Sequence, residues 1–63
     1  MATKSAFRYQ FSQRYFSWSF TLLLAEKANV VCYPELGDGE LIVTVPAYLT
    51  DKADAIYIEM ENV

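Results

Sequence analysis

Residues 16–28 read FSWSFTLLLAEKA, and the fold turns on whether this stretch is a strand or a helix. Phe16, Trp18, Phe20, Leu22 and Leu24 alternate with Ser17, Ser19 and Thr21, the period of two that marks a strand with one buried face. Phe16, Phe20, Leu23 and Leu24 would equally share one side of a helix, and LLLAEKA is built from good helix formers. The aromatic and β-branched residues before Leu22 weigh toward strand. Asn29 also stands where a short hairpin loop wants a residue of positive φ. A strand over 15–24 is therefore expected.

Working outward, Phe7, Tyr9 and Phe11 alternate with Arg8, Gln10 and Ser12 and predict a first strand over 5–12. This run buries odd positions and the next one buries even positions, so the register must be reset between them. A tight turn through Gln13 and Arg14 is the expected device, with a β-bulge as the alternative.

Downstream, residues 30–34 form a further β-branched run, VVCYP. Residues 34–39 hold both glycines and predict a turn, and residues 40–45 predict a strand that ends at Pro46, which cannot donate to a ladder. Residues 47–55 read as loop with one helical turn near 50–53. Ile56, Ile58 and Met60 alternate with Tyr57, Glu59 and Glu61, predicting a last strand over 55–61.

These elements assemble into an all-β protein, a small antiparallel meander or open barrel of about five strands. An α+β fold with one helix near 16–28 is the runner-up. At 63 residues the chain holds one domain and buries only about 60% of the surface its unfolded form exposes. It has one cysteine and no histidine, so neither an internal disulfide nor a zinc site is available as a staple. Dense packing of rings and pairing of open sheet edges into a homodimer are the routes left.

The same deficits bound the chemistry. Without histidine, no Ser-His-Asp or Cys-His arrangement can form, and Cys32 has no basic sequence neighbour to activate it. The acids and glycines of 36–40 lack the ligand spacing of a calcium loop and the Lys-Ser/Thr ending of a phosphate loop. No enzyme, cofactor or metal is expected.

The Ser- and Arg-containing first 25 residues resemble a transit peptide in composition, and LLLA a signal peptide. Removing them would leave too little for a core, so both readings are set aside. No run approaches the roughly 20 apolar residues of a membrane span, and a cytoplasmic location, in a cell or an infected host, is expected.

Charge is unevenly spread. Lys4, Arg8 and Arg14 are the only charged residues before Glu26, whereas eight acids against Lys27 and Lys52 give the rest a net charge of −6. Such polarity predicts pairing between the halves or oppositely charged faces. With the amino-terminal rings assigned to the core, recognition falls to the acidic part. Asp51, Asp54, Glu59 and Glu61 are expected to meet a protein partner with a basic surface, the two glutamates on one strand face, with Tyr48 and Tyr57 as apolar anchors.

The expected function is a non-enzymatic protein-binding module, in one form a viral or phage accessory inhibitor that occludes a basic macromolecular surface. A single-stranded nucleic-acid binder using Arg8, Tyr9, Arg14, Tyr15 and Trp18 is the first alternative. A structural homo-oligomeric subunit is the second.

Overall fold

A computed structural model of the chain describes residues 6–62. The element order is β1 (Phe7–Phe11), α1 (Arg14–Lys27), β2 (Glu35–Leu36), β3 (Leu41–Val45) and α2 (Thr50–Glu61), with one 3-10 turn at Ala47–Leu49. The three strands form one open antiparallel sheet in the order β1-β3-β2. The all-β expectation is therefore overturned: the fold is α+β, with two helices packed on one face of an unclosed three-stranded sheet.

The pleat explains the layering. Tyr9, Phe11, Val43 and Val45 are buried, whereas Arg8, Gln10 and Thr44, the alternate positions, are exposed on the opposite face. The register pairs Tyr9 with Val43 and Arg8 with Thr44, so like-facing residues of the two strands lie side by side. Strand β1 was legible in the alternation of Phe7, Tyr9 and Phe11, although position 5 of the expected range lies outside the described residues. Strand β3 ends before Pro46 as expected.

The expected strand over 15–24 is instead α1. Its buried residues are Ser17, Phe20, Thr21 and Leu24, the spacing of one helical face. Two of these are polar, and that is what concealed the helical period. Ser17 Oγ donates to the Arg14 carbonyl at 2.7 Å and Thr21 Oγ1 to the Trp18 carbonyl at 2.8 Å, so both hydroxyls are satisfied within the helix while buried. The apparent alternation does not survive burial. Of its apolar members Phe20 and Leu24 are buried, and Phe16, Trp18 and Leu22 are exposed. No hairpin or bulge resets the register at Gln13; the chain changes period and starts a helix there. The runner-up helix near 16–28 describes α1, without foreseeing α2.

Asn29 does adopt positive φ, at 58°, but as the residue that closes α1 rather than as a hairpin loop. Ala28 N–H returns to the Leu24 carbonyl at 2.9 Å and Val30 N–H to the same oxygen at 3.5 Å. Asn29→Gly is expected to leave stability unchanged or slightly raised, and Asn29→Val to cost about 1–2 kcal/mol, because a β-branched residue is strained in that region. Urea midpoints check this, and equal midpoints for the two variants would contradict it.

The strand expected over 30–34 is not formed. Val30 and Cys32 pack against the core while Val31 and Tyr33 are exposed, so the side chains alternate. The backbone nevertheless joins neither outer edge of the sheet, whose strands are β1, β3 and β2. The turn expected over 34–39 is a β2–β3 hairpin whose loop is residues 37–40. Gly37 N–H bonds to the Glu40 carbonyl at 2.7 Å, and Gly39 takes φ 75°, where a side chain would be strained.

The strand expected over 55–61 is the second half of α2, and the expected loop is its beginning. Thr50, Ala53 and Ile56 are buried at spacings of three, with Tyr57 and Met60 packed beside them. Ile58 is exposed, which the strand reading forbade.

Candidate functional site

The rings of residues 6–20 divide into two groups. Tyr9, Phe11 and Phe20 are buried and meet Tyr57 in one cluster, with centroids 5.0 Å apart for Tyr9–Phe20, 5.2 Å for Phe11–Phe20 and 5.4 Å for both Tyr9–Tyr57 and Phe11–Tyr57. Phe7, Tyr15, Phe16 and Trp18 are exposed. The expected core of Phe7, Tyr9, Phe11, Phe16, Trp18 and Phe20 is thus cut back to Tyr9, Phe11 and Phe20, while Tyr15 is exposed. On α1, Tyr15, Trp18 and Leu22 stand at i, i+3 and i+7 and form an apolar stripe on the side away from the core.

Helical geometry rearranges the acidic residues. Asp51, Asp54 and Glu61 share one exposed face of α2 with Ile58, which is 58% exposed between them. Glu59 and Glu61 do not point the same way. They are about 200° apart on a helix, and Glu59 turns to α1, where Lys27 Nζ approaches its Oε1 at 3.2 Å. That pair lies wholly within the acidic part of the chain and so is not the pairing between halves that the charge segregation predicted; both side chains are largely solvated, and it is worth under about 1 kcal/mol.

Asp54 faces the sheet as well as solvent. Its Oδ1 accepts a hydrogen bond from the Tyr9 hydroxyl, whose oxygen also lies 3.4 Å from the Thr50 carbonyl. Burial first, then this bond and the charges of Asp54 and Asp51, push the Tyr9 phenol well above its usual range. Tyr57 is half-buried in the ring cluster, so it serves as an internal member more than as an outward anchor. Tyr48, in the 3-10 turn that leads into α2, is 79% exposed.

Of the residues considered for nucleic acid, Arg14, Tyr15 and Trp18 are exposed together on α1, but Arg8 and Tyr9 do not join them. Arg8 lies on the bare sheet face, Tyr9 is buried, and Arg14, Tyr15 and Trp18 belong to α1. Lys4 lies outside the described residues. Cys32 is free and half-buried, and burial pushes its thiol up. Among the described residues no group of three potential metal ligands gathers, and no helix is long and apolar enough to cross a membrane.

Two residues of interest escaped the sequence reading. Ile58 was assigned to a buried face, and Glu40 was read as the end of a turn and the start of a strand with no part in a site; reading residues 50–61 with the helical period would have placed Ile58 among the acids. No protein family, no curated protein and no solved structure matches the chain. The fold and surface define a small two-layer α+β protein with an acidic helix face, and function is read from those side chains.

Proposed function

We propose that this is a non-catalytic binding module that attaches through the solvent face of α2 to a partner presenting a basic surface. The observation that carries the reading is Ile58, a large exposed aliphatic side chain set among Asp51, Asp54 and Glu61. An apolar centre ringed by charge of one sign favours a partner of opposite sign with an apolar patch. Glu61 adds support: it sits in the last turn of α2, where a carboxylate opposes the helix dipole, and no basic residue accompanies it there. Residues that break a local rule are commonest where function needs them. Tyr48, just before α2, supplies a second exposed anchor.

Occlusion of a surface otherwise used for nucleic acid is the use this chemistry fits, and a viral or phage accessory inhibitor is one form of it. The test uses a lysine-rich amphipathic helical peptide with leucines on one side, titrated calorimetrically at low and high salt. The wild type is expected to bind it, more weakly at high salt. Ile58→Lys with Glu61→Lys is expected to lose about tenfold or more in affinity, about 1.4 kcal/mol, and most of the salt dependence, while Glu59→Gln binds as wild type. Equal binding by the double variant and the wild type would remove the α2 face from consideration.

A further inference from the structure

The two edges of the sheet are unlike. The β2 edge is two residues long, bears the exposed Glu35 and follows Pro34, features that discourage a further strand. The β1 edge is five residues long, in unbroken register with β3, and has no proline. Two cavities, of about 360 and about 580 Å³, follow one another along it and share Gln10, Ser12 and Tyr57. Each is lined by β1 and α2 residues, the first also by Phe16 of α1 and the second by Glu40 just before β3, so both open beside β1 where α2 passes over it. The α2 wall is the stripe Asp54, Tyr57, Met60 and Glu61.

We infer that this edge is a second binding surface, one that accepts an extended, cationic segment of another protein as an added fourth strand. Among the described residues β1 pairs with β3 alone, so its outer backbone groups supply the ladder and the cavities beneath α2 receive alternate side chains, the arrangement by which sheet edges capture peptides. Among the described residues, Glu40, Asp54 and Glu61 border the groove against the single cation Arg8, so lysine or arginine between aliphatic residues is the matching chemistry. A second copy of this chain fits less well. Its β1 offers one cation, and its own α2 would bring Asp54 and Glu61 against their counterparts. The inference goes beyond the α2 face, sharing Asp54 and Glu61 with it, and Ile58 separates the two surfaces.

Selection from a random display library of short peptides on the immobilised full chain tests it. Enriched sequences are expected to alternate aliphatic with basic residues and to lack proline and acids. A synthetic peptide of the enriched sequence should slow hydrogen exchange at alternate β1 amides. Glu61→Lys should weaken its binding about tenfold, and Glu35→Lys, on the opposite edge of the sheet, should leave it unchanged. No enrichment, or binding without protection of any β1 amide, would overturn the inference. Binding that protects no β1 amide and is lost in Ile58→Lys would overturn it in favour of the α2 face. A dimer by sedimentation, with the β1 edge already protected before peptide is added, would make a second copy the occupant and overturn it also.

Discussion

Phe20→Ala is expected to leave the protein largely unfolded at room temperature. Phe20 is 0% exposed, and its ring lies 5.0 Å from Tyr9, 5.2 Å from Phe11 and 6.1 Å from Tyr57. It is the side chain through which α1 touches both β1 and α2. Deleting a buried phenyl ring costs about 3–5 kcal/mol, through lost transfer energy and the cavity left behind. A single core of this size rarely supplies more than about 3–5 kcal/mol in total. The loss therefore matches the whole. Far-ultraviolet circular dichroism during a urea titration reads the result. Phe20→Leu should restore a cooperative transition by refilling most of the space, and Trp18→Ala, at a ring 46% exposed, should shift the midpoint little. A cooperative transition in Phe20→Ala within about 1 kcal/mol of wild type would show that the ring cluster is not what holds the layers together.

Alkaline pH is expected to destabilise the fold through Tyr9. In the native state burial and the Asp54 carboxylate hold the phenol protonated well above its usual value. In the unfolded chain it ionises near about pH 10. Below that point both states keep the proton and the contribution is intact. Above it the unfolded state releases a proton that the native state retains, so stability falls as pH rises, by up to about 1.4 kcal/mol per pH unit. Over roughly two units the loss approaches 2–3 kcal/mol, again comparable with the total. Cys32, also pushed up by burial, adds a loss of the same sign beginning near about pH 8.5. Comparing Cys32→Ala with Cys32→Ala/Tyr9→Phe isolates the phenol. The double variant should start less stable at neutral pH, having lost the bond to Asp54, and should decline less steeply above pH ~10. Parallel declines would mean that Tyr9 does not stay protonated in the folded state.

The same hydroxyl also links stability to the surface proposed for binding, because Asp54 is both the acceptor of Tyr9 and a member of the acidic face and the groove. Substitutions at Asp54 therefore mix folding with recognition. Ile58 and Glu61, exposed on α2, report on recognition with little effect on packing.

Parts of this arrangement were legible along the chain. The alternation of Phe7, Tyr9 and Phe11, the β-branched run before Pro46 and the positive φ of Asn29 each follow from forces that act over a few residues. Asp51, Asp54 and Glu61, which the proposed α2 face uses, were named from charge alone. Their grouping was not legible, because it depends on the helical period of α2, and Ile56, Ile58 and Met60 satisfy a strand pattern equally well until Ile58 is found exposed.

Residue order alone thus determined strands β1 and β3, the glycine turn between residues 37 and 40, the lack of an internal disulfide or of histidine and the segregation of charge. Tertiary structure decided that residues 14–27 and 50–61 are helices, because a three-stranded sheet buries Tyr9, Phe11, Val43 and Val45 only if something covers that face. It also decided which rings are bare, since the burial of Ser17 and Thr21 in place of Phe16 and Trp18 depends on the orientation of α1 against that sheet. Short-range pattern cannot carry that information, because a hydroxyl bonded to its own helix costs little to bury and so reads, in sequence, like a residue meant for water.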